Sequence, residues 1–262
     1  MSTHNVVSHG QWLAARRELL AKEKEFTRAR DALSALRREL PWERVEKNYV
    51  FTGPAGKETL ADLFAGRSQL VVYHFMFDPA WAAGCKSCSF WADNFNGIDV
   101  HLAHRDATFL AISRAPYEKL AVYRQRMGWS FKWVSSSGTD FNFDYGVSFT
   151  PEQLEAGALQ NYGGGRPPGT ETVGISVFFK DTGGDVFHTY SCYSRGVDMM
   201  NGAYQYLDLT PKGRDEEQAT GMGWLRHHDR YDDTNFVDPW MERPGITSPL
   251  PPPPALKDAR LR

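Results

Sequence analysis

Cysteine is scarce in this 262-residue chain, which has only Cys85, Cys88 and Cys192. That scarcity excludes a disulfide-scaffolded secreted fold, because small extracellular domains that depend on bridges carry cysteine densely. An excess of charge of one sign is also lacking. Lysine and arginine number 30 against 32 acidic residues, for a net charge of −2, so nothing favours a nucleic-acid backbone or an anionic membrane surface as partner. No apolar run approaches the roughly 20 residues of a membrane span. The start, Met1 to Gly10, has no basic, apolar and small-residue succession of a secretory signal. Cytoplasmic residence is therefore expected, and reducing conditions there keep cysteines as thiols. Internal repeats are absent as well.

What is present is enough apolar material, 41% of residues, to bury a core in one large or two small domains. Two of the three cysteines form Cys85-Lys86-Ser87-Cys88. This motif follows the apolar run Leu70 to Phe77 and leads into Ser89-Phe-Trp-Ala-Asp-Asn-Phe95. A strand that delivers two cysteines three apart to the first turn of a helix is the layout of thiol–disulfide exchange. Unpaired N–H groups at the helix start favour a thiolate at Cys85, and Cys88, one turn on, can close the ring. The same spacing is also half of many zinc sites.

Segments 1–43, 44–210 and 211–262 read as an amphipathic helix, a compact domain and a polar extension ending in the proline-rich Pro249 to Pro254. The first helix is expected to start at an Ser8 N-cap and stop at Pro41. Its charges alternate in sign, which marks a solvated face; such an appended helix is compatible with a homodimer. Strands are expected over 44–51, 70–77 and 107–113, short and long helices over 58–64 and 85–103, and another helix from Tyr117 to Met127 behind Pro116. Residues 174–180 and 185–190 make a hairpin around Asp181-Thr-Gly-Gly184, and a last helix covers 198–207. Strand and helix in quick alternation argue an α/β domain with a parallel or mixed sheet.

Over 47–190 this order resembles the thioredoxin and peroxiredoxin superfamily, with local support from Ala111-Ile-Ser-Arg114, Asp144-Tyr-Gly-Val147 and Val177-Phe-Phe-Lys-Asp-Thr-Gly183. Nearly the whole chain resembles a bacterial family of predicted dithiol–disulfide oxidoreductases built on a domain of unknown function. The residues carrying that likeness are His4-Asn-Val-Val7, Leu40-Pro-Trp42, Tyr73 to Phe77, Cys85 to Phe95, Ser113-Arg-Ala-Pro116 and Gly221 to Tyr231. The resemblance implies a thioredoxin-like, peroxiredoxin-like central mixed sheet flanked by helices. Departures are specific: Gly84 stands where a tryptophan commonly precedes the first cysteine, and no proline opens the hairpin at Thr172-Val-Gly-Ile175. Ala82 occupies the place of the peroxiredoxin threonine or serine. Disulfide exchange thus fits better than peroxide reduction.

The expected chemistry uses a disulfide-containing substrate and a thiol electron donor, with no cofactor. Cys85 and Cys88 carry it; Lys86 either favours the thiolate or faces solvent, and Arg114 reaches the same sheet edge or forms a surface ion pair. Asp78 is a proton shuttle or a cap, and Trp81 and Trp91 are an apolar wall or core. Cys192 is a third thiol or a small filler. The pair His227-His228, together with Cys85 and Cys88 and with His74 or His188 as a further candidate ligand, opens a copper or zinc alternative. A third reading is a non-catalytic binding module. The loop Gly163 to Pro168 lacks the GxxxxGK[ST] pattern of a phosphate cradle.

Overall fold

A computed structural model describes residues 4–216 and 221–232. The chain divides into two units, residues 1–42 and 43–262. The first is a single 31-residue helix, α1 (His9–Glu39), opened by a capping box in which Ser8 and Gln11 each bond the other's backbone. Ion pairs Arg16–Glu23 and Lys22–Glu25 run along its surface. As Pro41 requires, it ends before that residue.

The second unit begins with β1 (Glu43–Arg44), β2 (Val50–Gly53) and β3 (Gly56–Thr59), then β4 (Gln69–His74), α2 (Lys86–Ala92), α3 (Ile98–Ala103) and β5 (Ala107–Ser113). There follow α4 (Tyr117–Arg126), β6 (Lys132–Ser135), α5 (Phe141–Asp144), α6 (Pro151–Glu155), β7 (Gly174–Lys180), β8 (Val186–Tyr193) and α7 (Gly202–Leu207). All eight strands join one sheet in the order β1-β8-β7-β4-β5-β6-β2-β3. β4, β5 and β6 are parallel, β7 runs antiparallel beside β4, and β8 pairs antiparallel with β7 on its far side. A parallel pair linked through a helix, flanked by an antiparallel hairpin and followed by a helix, is the thioredoxin-like core. The central mixed sheet anticipated from the sequence is therefore present.

Several elements differ from the sequence expectation, each for a local reason. The helix expected over 85–103 is broken between α2 and α3. There Asn94 turns its amide onto the Phe90 and Trp91 carbonyls, and Gly97 takes φ +85°, a conformation glycine adopts without strain. The strand expected over 44–51 is two pieces, because Glu43 and Arg44 pair with β8 while residues from Val50 pair with β3. Residues 56–59 serve that hairpin, which leaves only Asp62–Phe64 as a 3-10 turn. The last expected helix is interrupted at Asn201, whose side chain caps α7 by accepting from the Tyr204 N–H. The proline tail, 249–254, lies outside the described residues.

Each face of the sheet buries its own cluster. Tyr73 and Phe75 lead one, with Trp91, Phe95, Tyr123, Trp129, Phe131 and Trp133. Leu70 and Val72 lead the other, with Phe51, Leu63, Phe64, Ile112 and Phe141. This split is the period-two alternation of a strand buried on both sides. Within the segment 221–232, Leu225, Arg226 and His227 are buried. Among the described residues no helix is long and apolar enough to cross a membrane.

Candidate active site at the carboxyl end of β4

Beyond β4 the chain stays beside β5: the Phe75 N–H donates to Ile112 O, the Ala115 N–H to Phe77 O, and Ser113 Oγ to Phe75 O. Residues 78–84 then form a loop that closes on its own base, where the Cys85 N–H donates to Met76 O at 3.1 Å. Gly84 is required at this closure. A Cβ there would lie 2.7 Å from the Phe75 ring and 3.0 Å from Tyr123, which explains why no tryptophan precedes Cys85.

Cys85 is the N-cap of α2, but its side chain does not cap a backbone N–H of the first turn. α2 is only seven residues long, so its dipole offers less than the sequence layout suggests. Cys88 lies one turn on and is almost fully buried; the Met76 N–H donates to its sulfur at 3.4 Å. Burial holds the Cys88 thiol well above its ordinary value, and its hydrogen bond with Cys85 adds to this. The Tyr73 hydroxyl has no oxygen or nitrogen partner; it faces the Cys88 sulfur, where it pulls the other way together with the Met76 N–H. The two thiols are therefore adjacent, and Cys88 keeps its proton. Ser89 supports the turn by donating Oγ to the Cys85 carbonyl at 2.9 Å, with Tyr123 OH 3.0 Å away.

Lys86 is buried and does not face solvent. Arg114 sits where β5 ends, bonding Asp78 Oδ2 and Glu171 Oε1, each at 2.6 Å. Asp78 also caps its own loop by accepting from the Ala80 N–H. Glu171 is buried, and Ser148 Oγ donates to it. Burial pushes its carboxyl up to about 7 against the opposing pull of Arg114. The Asp78–Arg114–Glu171 chain of charges thus braces the loop that carries the dithiol.

Trp91 is core, its indole N–H donating to Val197 O at 2.9 Å, while Trp81 is partly buried against the same cluster. Cys192, on β8, shares the apolar cluster of Cys85 and Cys88 and donates to Gly196 O. His227 reaches the dithiol loop: its Nε2 is 2.9 Å from Gly84 O. His228 Nδ1 is 2.8 Å from Asp93 Oδ1. His74 and His188 lie at the two ends of a separate hydrogen-bonded chain through Ser176 and Ser191. Among the described residues no group of three or more His, Cys, Asp or Glu side chains is arranged to hold a metal ion.

Sequence reasoning did not single out Tyr73, Met76, Ser89, Glu171 or Tyr123. For Tyr73 a signal existed, since alternation along β4 puts it on the face that Cys88 packs against. Glu171, in Gly-Thr-Glu-Thr, carries none.

The chain belongs to the family described as "Bacterial protein of unknown function (DUF899)", whose model matches residues 1–231. No curated protein matches it. Among solved structures it is similar to the peroxidoxin BcpB from Mycobacterium tuberculosis, at 16% identity and TM-score 0.42, over 64% of this chain and 97% of that one. It is also similar to a cysteine-to-serine mutant of PrxQ from Xylella fastidiosa, at 14% identity and TM-score 0.39, over 63% and 95%. A third is peroxiredoxin Q from Xanthomonas campestris, at 14% identity and TM-score 0.42, over 64% and 97%.

Proposed function

We propose that the protein is a dithiol–disulfide oxidoreductase. The observation that carries this reading is the contact between the Cys85 and Cys88 thiols across the first turn of α2, at the carboxyl edge of the sheet. Cys85, as thiolate, attacks one sulfur of a substrate disulfide; a Cys85–substrate disulfide forms and the other substrate sulfur leaves as thiolate. Cys88 then loses its proton to that leaving thiolate and attacks the Cys85 sulfur, releasing the second substrate thiolate. Two protein thiols are oxidised to one disulfide while one substrate disulfide is reduced, and an external thiol donor restores the pair.

The division of roles follows from environment. The raised Cys88 thiol supplies a hydrogen bond to its neighbour and is a poor nucleophile until the first step is complete. Lys86, between the two cysteines in the chain and buried, is assigned the role of favouring the thiolate. Arg114 holds the loop through Asp78 and Glu171. A cytoplasmic setting fits a dithiol kept working by reducing equivalents.

Reduction of a model disulfide, followed with single cysteine variants, tests this reading. Cys88→Ser should accumulate a mixed disulfide at Cys85, and Cys85→Ser should form none. Equal reactivity of the two variants would overturn it.

A further inference from the structure

The peptide unit joining Gly84 to Cys85 is held at both ends. Its N–H donates to Met76 O. Its carbonyl oxygen faces Nε2 of His227, 143 residues away in sequence, at 2.9 Å. A carbonyl only accepts, so Nε2 carries the proton in that bond. On the other side of the ring, Arg126 Nη2 lies 3.5 Å from Nδ1; a guanidinium only donates, so Nδ1 presents its lone pair. Arg126 is itself fixed by two bonds of 2.8 Å to Asp229, and the imidazole stands edge-on to Tyr123 at 5.7 Å. The ring is buried, with both nitrogens assigned by their neighbours.

We infer that His227 is a positioning residue for Cys85, acting as the neutral Nε2–H tautomer. Its N–H offsets the partial negative charge of the Gly84 carbonyl beside the cysteine, and it fixes the backbone angle from which the thiolate leaves the N-cap of α2. This rests on the dithiol reading and adds to it a requirement: the site is complete only when segment 221–232 is docked. Other charged or titratable groups around Cys85 and the imidazole are Tyr73 from β4, Lys86 and Cys88 from α2, Tyr123 and Arg126 from α4, and Asp229 on the histidine's own segment.

The experiment compares wild type, His227→Leu and His227→Gln in the full chain. A glutamine amide reaches the place of Nε2 and keeps the donor; leucine removes it. Leucine should slow Cys85 alkylation at neutral pH about tenfold, the size of one lost hydrogen bond, and raise the midpoint of its pH profile by about one unit. Glutamine should restore both. Leucine and glutamine variants with the same midpoint would overturn the inference. If the leucine variant does not fold, histidine-selective nitrogen NMR of the wild type decides, since a protonated Nδ1 or a charged ring at neutral pH contradicts it. A wild type without a reversible dithiol couple overturns both this inference and the reading beneath it; a reversible couple with indistinguishable variants overturns only the role of His227.

Discussion

The two faces of β4 bury polar groups in opposite ways. On one face the Cys88 thiol has a neighbouring sulfur, a backbone N–H and the Tyr73 hydroxyl for company, inside a shell of aromatic rings. On the other, His74 Nε2, Ser176 Oγ, Ser191 Oγ and His188 Nε2 form an unbroken chain with every step 2.7 Å long. The first arrangement leaves reactive atoms weakly bonded, whereas the second fully commits hydroxyls to imidazoles. Weak bonding is what a nucleophile needs, and committed bonding is what a buried polar core needs.

The largest expected contrast between the faces is chemical. Cys85→Ser should reduce disulfide exchange to background, while Ser176→Ala should leave its rate unchanged and lower stability by about 1–2 kcal/mol; an exchange assay with chemical denaturation reads both. Next in size is Arg114→Ala, which strips the partner from buried Glu171 and should destabilise by about 3 kcal/mol. Glu171→Ala together with it should recover part of that loss. Additive losses in the double variant would contradict the pairing.

The faces should also separate by pH. His74 is held down to about 3 by burial, so the unfolded chain takes up its proton first; this contribution to stability is complete above pH 6.5 and is lost as pH falls toward 3. Glu171, pushed up to about 7 from 4.5, behaves in reverse: its contribution is complete below 4.5 and lost as pH rises through 7. Denaturation midpoints of His74→Gln and Glu171→Gln across pH 3–8 should flatten the acid and the neutral limb respectively. Smallest is Tyr73→Phe, which removes a hydroxyl with no oxygen or nitrogen partner and should shift stability by less than about 1 kcal/mol. It should still slow the resolving step, because one of the two groups lowering Cys88 is gone.

Much of the scaffold was legible where local chemistry decides. A near-continuous apolar run with no proline marked β5 at Ala107–Ser113 as a buried strand, and the Ser8 cap and Pro41 stop bounded α1. The turn at 181–184 located the hairpin of β7 and β8. Local patterns failed where a distant partner sets the outcome. The break after α2 depends on Asn94, which also accepts from the Ala203 N–H, and β6 was unassigned because residues 131–135 alternate only weakly. Of the site, the cysteine pair was read from spacing. That His227 meets the peptide before Cys85, while His228 turns to Asp93, is a tertiary fact that adjacency in sequence conceals.

The most direct measurement is a redox titration of the purified protein, with alkylation of remaining thiols and intact mass at each potential. A single reversible two-electron transition confined to Cys85 and Cys88, absent in either serine variant, is the result expected of a working dithiol. Cysteines that stay reduced and unreactive across the whole range would contradict it.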